Sequence, residues 1–167
     1  MIYILLPAYN EEKSLAQIFT KIRDHFSVNK SHKYRVIACD DGSEDRTLRM
    51  LKQYARTMPV TIIHHKINRG LGETSRDLFE KAAELSKGAD IIVRMDCDDT
   101  HEPEFIAGLV DKIDRGYDVV IASRFVKGGG QDGVSRYRRA ISWCANIFMR
   151  MFFPIPGLRE YTCGFRA

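Results

Sequence analysis

An α/β fold, with a mostly parallel sheet covered by helices on both faces, is predicted by three observations. Short apolar runs alternate with amphipathic segments over the first three quarters of the chain; three of the runs end abruptly in a polar, acid-rich cluster; and no linker-like stretch divides the 167 residues. A chain of this length builds one compact domain, so residues 1–167 are expected to form a single unit. Sheets of this type take their ligands beyond the carboxyl ends of the strands, which makes the acidic clusters the first places to look for function.

Residues 2–6 form an apolar run stopped by Pro7, as expected of a buried strand leaving its sheet. Residues 11–26 carry Leu15, Ile18, Phe19 and Ile22 at helical spacing, with Glu11 and Glu12 in the expected first turn. A second strand at residues 34–39 runs into Asp40-Asp41-Gly42-Ser43, and the helix after it has Leu48, Leu51 and Tyr54 on one side, with Ser43 or Asp41 expected as its cap. Residues 60–63 give a third strand, followed by the Asn68-Arg69-Gly70-Leu71-Gly72 loop and a helix to about Ser86. The fourth strand begins at Ile91 and ends in Asp96-Cys97-Asp98-Asp99. A helix is expected from near Pro103 to near Gly116, and a fifth strand at residues 117–122. Residues 140–153 are helical in pattern but apolar over most of the circumference. Such a helix is either covered by elements outside this chain or lies in a membrane interface with Arg150 and the nearby arginines at the headgroups.

Composition narrows the function classes. Hydrophobic residues make up 44% and charged residues 29%, which excludes wholesale disorder. No stretch approaches the roughly 18 apolar residues of a membrane span, and no basic leader precedes the first strand. Cys39, Cys97, Cys144 and Cys163 form no CxxC pair, which argues against a zinc cage or disulfide framework and suits a reducing cytoplasm. Residues 1–122 hold 18 Lys and Arg against 20 Asp and Glu, whereas residues 123–167 hold 8 against 2. An anionic partner is therefore expected at the last quarter. Anionic lipid or a phosphorylated small molecule fits that partner better than nucleic acid, because the basic region has neither a recognisable reading helix nor an aromatic platform.

Asp96 and Asp98 are two apart where a strand ends, so their side chains share a face. Two adjacent carboxylates repel, and a divalent cation bearing phosphate oxygens relieves that repulsion at less cost than protonation; a solvated acidic loop capping the next helix is the competing reading. Asp40 leaves its strand directly and can accept a hydrogen bond from a nucleotide base. The GxG of residues 70–72 lacks the full GxGxxG and follows the third strand, which excludes a nicotinamide cofactor. The adjacent His64 and His65 read as structural or exposed. Ser123-Arg124-Phe125-Val126-Lys127-Gly128-Gly129-Gly130, continued by Arg136, Arg138 and Arg139, combines phosphate-matching guanidiniums with a loop able to fold over a ligand, against the plainer reading of a solvated basic loop.

Pro7-Ala8-Tyr9-Asn10-Glu11-Glu12, Asp40-Asp41-Gly42-Ser43, Asn68-Arg69-Gly70, Asp96-Cys97-Asp98 and Thr162-Cys163-Gly164-Phe165-Arg166 together resemble family 2 glycosyltransferases. The 123–130 stretch with Arg138 and Ser142 is similar to the dolichyl- and polyprenyl-phosphate mannose synthase branch. The resemblance implies a GT-A, Rossmann-like fold, a nucleotide-sugar donor of the GDP-mannose or UDP-glucose type, a divalent cation (Mg²⁺ or Mn²⁺), and inversion at the anomeric carbon. It implies a polyprenyl or dolichyl phosphate acceptor met at the cytoplasmic face of a membrane. By position, Pro7, Tyr9 and Glu11 would line the nucleoside pocket and Asp40 would contact the base. Asp96 and Asp98 would handle metal and diphosphate, with Asp98 the direct ligand, Asp96 acting through water or the ribose, and Asp99 in the following turn. Arg124 and Arg138 would hold phosphates of donor or acceptor, which makes Asp98, Arg124 and Arg138 the implied catalytic set. Residues 1–122 form the nucleotide-sugar half and 123–167 the acceptor side.

Two positions depart from the branch: Val134 stands where an aromatic residue is usual, and Glu160 where Asp is usual. The family also continues beyond the position of Ala167, so the chain is expected to be a fragment. A lipid phosphate, with a second pKa near about 6, is already anionic at neutral pH and needs no general base. A saccharide hydroxyl acceptor would need one, with Asp132 or Glu160 as candidates, and a catalytically inactive nucleotide-binding module is the remaining alternative. Oligomeric state leaves no mark on these residues.

Overall fold

The computed structural model describes residues 1–98, 101–123 and 135–167, apart from the side chains of Arg136 and Arg138. Four strands, β1 (Ile2–Ala8), β2 (Tyr34–Asp41), β3 (Val60–His65) and β4 (Ile91–Arg94), form one parallel sheet in the order β3-β2-β1-β4. The helices are α1 (Leu15–Val28), α2 (Thr47–Tyr54), α3 (Leu71–Leu85), α4 (Ile106–Asp114) and α5 (Arg136–Phe152), with a 3-10 turn at Pro103–Phe105 before α4. The expected strand-helix alternation therefore holds through α4.

Alternation along β1 divides the core. Ile2, Ile4, Leu6 and Ala8 join Val36, Ala38, Val93 and the inward residues of α1, α2 and α4 on one face. Tyr3, Leu5, Ile37 and Cys39 meet Leu78 and Ala82 of α3 on the other. The period of two on the strands and of 3.6 on the helices thus sends each apolar set to its own layer. Fully burying one such side chain stabilises by about 1.5–3 kcal/mol, and α1 alone buries Leu15, Ile18, Phe19, Ile22 and Phe26. Phe19 stacks on Tyr54 with centroids 4.4 Å apart, which fixes α1 against the end of α2.

Several local expectations are corrected. Helix α1 begins at Leu15 rather than Glu11, because the Glu11 carbonyl accepts the Ser14 and Leu15 N–H groups in a preceding turn. Neither Ser43 nor Asp41 caps α2: Asp45 Oδ1 accepts the Thr47 N–H at 2.8 Å, while Ser43 Oγ accepts the Asn10 N–H at 3.0 Å. The expected fifth strand does not pair with the parallel sheet directly. Val120 and Ala167 exchange two hydrogen bonds of 2.8 Å, Ala122 donates to the Phe165 carbonyl, and Arg166 bridges both Arg94 and Ile121 in antiparallel sense. The carboxyl-terminal segment is thus inserted between β4 and residues 120–122.

Helix α5 is tied to the following segment by Asn146, whose amide donates to the Arg159 carbonyl and accepts from the Tyr161 N–H, both at 2.9 Å. Its Tyr137, Ile141, Trp143, Phe148, Met151 and Phe152 are all more than half exposed, so the described residues leave these apolar side chains uncovered. No described helix is long and apolar enough to cross a membrane.

Gly42 is the backbone position on which the loop packing turns. Its φ is +72°, and a Cβ there would lie 2.5 Å from the Ile67 carbonyl carbon and 2.6 Å from the Asn68 nitrogen, both main-chain atoms that cannot rotate away. Gly42→Ala is expected to lower stability by about 2–4 kcal/mol, read as a shift in the urea unfolding midpoint.

Candidate active site

The strand order places β2 and β3 on one side of β1 and β4 on the other, so the chain reverses direction across the sheet between β1 and β4. A crevice opens at such a switch point, beyond the carboxyl ends of the strands. The loops after β1 and β4 flank it, and the β2 loop lies beside them, since Ala8 at the end of β1 is in register with Asp40.

Six hydrogen bonds stitch the β1 loop to the β2 loop. Asn10 N–H reaches Ser43, Glu11 N–H reaches Thr47 Oγ1 at 2.8 Å, and Glu12 N–H reaches Asp45; in return Asn10 Oδ1 accepts from Glu44, and Glu12 Oε2 accepts both the backbone N–H and the Nε of Arg46. Asn10 adopts φ +55°, a conformation asparagine tolerates better than most residues, and this turns the chain toward its partners. Of the sequence-predicted nucleoside residues, Pro7 and Glu11 are half-buried and Tyr9 is exposed. Ser14 Oγ donates to Glu11 Oε2 at 2.6 Å and fixes that carboxylate.

Asp40 and Asp41 are both buried, and each has a histidine from the end of β3. His64 Nδ1 lies 2.8 Å from Asp40 Oδ2, while Asp40 Oδ1 is buried without a hydrogen-bond partner among the described residues. Asp41 accepts from the backbone N–H groups of Arg69 and Gly70, both at 2.9 Å, and from His65 at 2.6 Å. Burial pushes the Asp41 carboxyl up, but the donors from His65, Arg69, Gly70 and Thr74 outweigh it and hold the group below its ordinary value. His65 also reaches Asp77 at 2.8 Å, and Arg69 joins Asp77 and Glu73. The Asn68-Arg69-Gly70 loop is thus a clamp on Asp41 that starts α3. Burial, followed by the carboxylates of Asp41, Asp77 and Asp40, pushes the Cys39 thiol up to about 12, so it stays protonated and inert.

On the other side of β1, Asp96 is half-buried and Asp98 exposed. Asp96 Oδ1 lies 2.8 Å from Arg94 Nη2, and Asp96 N–H donates to His101 Nδ1 at 2.9 Å. A ring nitrogen that accepts carries no proton, so the 3.7 Å approach of the same nitrogen to Asp96 Oδ2 is proximity and not an ion pair. The His101 ring stacks on Phe165, centroids 5.1 Å apart. Burial, then the charges of Glu11, Asp98 and Asp96, push the Cys97 thiol far above its ordinary range, so it stays protonated. Glu11 lies in the loop after β1, and Asp96 and Asp98 lie in the loop after the adjacent β4.

Arg124, Val134, Asp132, Asp99 and the Gly-rich stretch at 127–130 lie outside the described residues, as does the side chain of Arg138, although its backbone belongs to α5. Among the described residues no group of three His, Cys, Asp or Glu side chains converges as a metal cage. The donors present, two carboxylates beside a thiol held protonated, fit an oxygen-liganded divalent cation only where substrate oxygens and water complete its shell. Glu160 is buried and accepts the N–H and hydroxyl of Thr162, so it is turned inward. Sequence reasoning missed Arg94, His64 as a partner of Asp40, and the Asp77–His65–Asp41 chain. Arg94 did leave a signal, as the one charge inside an apolar run; the histidine pairs depend on strand register and left none.

A parallel sheet with acidic loops at its switch point is the arrangement of the nucleotide-binding α/β class. The chain belongs to glycosyl transferase family 2, whose family model matches residues 3–167. It is 32% identical over 165 residues to a dolichol-phosphate mannosyltransferase of Pyrococcus furiosus, covering 98% of this chain and 45% of that protein. It is 31% identical over 166 residues to a polyprenol monophosphomannose synthase of Mycolicibacterium smegmatis, covering 98% and 60%. The chain spans less than two thirds of the length of these relatives. Among solved structures, glucosyl-3-phosphoglycerate synthase from Mycobacterium tuberculosis superposes with a TM-score of 0.65 at 21% identity, over 99% of this chain and 55% of that one, which establishes the GT-A fold.

The sign of the Asp41 effect is fixed by its lowered value. Its stabilisation is fully present above the ordinary value of 3.8 and is lost as pH falls through the lower folded value. Asp41→Asn is expected to cost about 1–3 kcal/mol at neutral pH, because one backbone donor loses its acceptor. Urea midpoints measured across pH 2–7, a span of about five units, should fall less steeply on the acid side in the variant than in the wild type.

Proposed function

We propose that the complete protein transfers a hexose, with inversion, from a nucleotide sugar of the GDP-mannose or UDP-glucose type to a polyprenyl or dolichyl phosphate at a membrane surface. The reading is supported by the placing of Glu11, Asp40, Asp96 and Asp98 at or just beyond the carboxyl ends of β1, β2 and β4, in a chain that aligns over 98% of its length with dolichol- and polyprenol-phosphate mannosyltransferases.

Each residue then has a task. Pro7, Tyr9 and Glu11 border the nucleoside. Asp40, its Oδ2 occupied by His64, offers its buried Oδ1, which has no partner among the described residues, to a base ring N–H, which uracil and guanine both possess. Asp98 would hold a divalent cation, Mg²⁺ or Mn²⁺, which would offset the charge on the departing nucleoside diphosphate. Arg124 and Arg138 hold phosphate oxygens of donor or acceptor and bring the nucleophile into line. The acceptor phosphate is anionic at neutral pH, so no side chain has to remove a proton. That suits a site in which Asp41 and Asp96 are engaged by donors, and the inward-turned Glu160 is poorly placed to serve a hydroxyl acceptor.

Incubating the complete protein with radiolabelled GDP-mannose or UDP-glucose, Mn²⁺ and polyprenyl phosphate should yield label in the chloroform phase. Asp98→Ala should lower that rate by about 10²-fold or more, and unchanged product formation would remove Asp98 from the mechanism. Asp40→Asn should weaken nucleoside diphosphate binding by about tenfold in calorimetry, since an amide cannot offer the same anionic acceptor at both oxygens.

A further inference from the structure

Two histidines end β3, and each meets the aspartate beside it on β2: Asp40 is in register with His64, and Asp41 with His65. Alternation sends the two pairs to opposite faces of the sheet. Asp41 follows Ile37 and Cys39 to the α3 side, and both its oxygens are engaged. Oδ1 accepts from His65 at 2.6 Å and from the Arg69 N–H at 2.9 Å, and Oδ2 accepts from the Gly70 N–H at 2.9 Å. Asp40 lies on the other face, is 0% exposed, and is only half satisfied. A carboxylate oxygen accepts and does not donate, so His64 Nδ1 carries the proton and donates to Oδ2 at 2.8 Å. Oδ1 is buried with no partner among the described residues. A buried carboxylate oxygen left bare is costly, which marks Oδ1 as the atom that a ligand N–H completes.

We propose that His64 is a positioning residue that sets base specificity: by holding Asp40 Oδ2 it leaves the carboxylate a single acceptor, and the base so selected is uracil rather than guanine. The inference rests on the proposed donor site and names the base which that site takes. Along its pairing edge guanine carries two adjacent donors, the ring N1–H and the exocyclic amino group, and a carboxylate matches such a pair with both oxygens side by side. With Oδ2 turned to the imidazole, one of those donors faces an oxygen already engaged. Uracil carries one donor, N3–H, set between two carbonyl oxygens. A single carboxylate oxygen satisfies it, and a second bare oxygen would be driven against a carbonyl. Cytosine and adenine present a ring acceptor at the equivalent position, so neither has an N–H for Oδ1. A site built around one hydrogen bond discriminates because the wrong base leaves a buried polar group unpaired.

The test is calorimetric titration of the complete protein with UDP, GDP, CDP and ADP in the presence of Mn²⁺. Wild type should bind UDP about tenfold or more tightly than each of the other three. His64→Phe keeps a ring at the position and frees Oδ2, so the ratio of UDP to GDP affinity should fall by about fivefold or more. Damage to the pocket alone would weaken both nucleotides alike and leave that ratio in place. His64→Asn, whose amide offers an N–H near the position of Nδ1, should restore the wild-type ratio. A wild type that binds GDP as tightly as UDP, or a folded His64→Phe protein with the ratio unchanged, overturns the inference. If His64→Phe does not fold, the wild-type ratio and its retention in His64→Asn decide the matter. In each of these cases, nucleotide binding that Asp40→Asn weakens leaves the donor site standing. A wild-type protein that binds none of the four overturns both.

Discussion

The structure depends on β1 being hydrogen-bonded along both edges by parallel neighbours. Parallel pairing requires crossovers, the crossovers are helices, and the helices cover both faces, so β1 is buried almost throughout. A buried strand can expose polar atoms only where it ends. Because all four strands run the same way, their ends fall at one edge, and the loops leaving β1, β2 and β4 become neighbours although they lie some thirty to ninety residues apart in the chain. The polar chemistry of the molecule is collected there because the sheet admits it nowhere else.

Such crowding creates a problem of charge. Aspartates crowded at strand ends repel one another, and three of them meet donors that offset this. Asp41 takes two backbone N–H groups and a histidine, Asp40 takes His64, and Asp96 takes Arg94. These pairings serve the fold as well: the donors to Asp41 begin α3, and the residue whose guanidinium meets Asp96 pairs through its main chain with Arg166, which holds the carboxyl-terminal segment along the edge of β4. Asp98, the most exposed of these strand-end carboxylates, lies where a ligand can reach it. In the proposed reading, the acidic edge would meet a diphosphate with its cation and the basic last quarter an acceptor phosphate. The uncovered apolar side chains of α5 lie on the same basic segment.

Period and punctuation in the sequence determined the strand-helix alternation, the parallel sheet, and the placing of Glu11, Asp40, Asp96 and Asp98 at strand ends. These are local properties: side-chain direction repeats every two or 3.6 residues, and an apolar run must end where its carboxylates begin. Family membership was legible for a related reason, since short motifs in fixed order survive without reference to contacts. Only the tertiary structure decided the partners. Whether Asp41 capped its own helix or clamped the loop after β3 depended on register between β2 and β3, and whether residues 117–122 joined the parallel sheet depended on a segment more than forty residues later inserting between them and β4. Arg94 was visible as a stray charge in an apolar strand, but its meaning required Gly164 to arrive from the far end of the chain and leave an empty Cβ position for the guanidinium. Sequence spacing sets where a side chain points; which charge it meets is set by loops brought together from distant parts of the chain, and that distance in sequence is why the pairing could not be read before the fold was known.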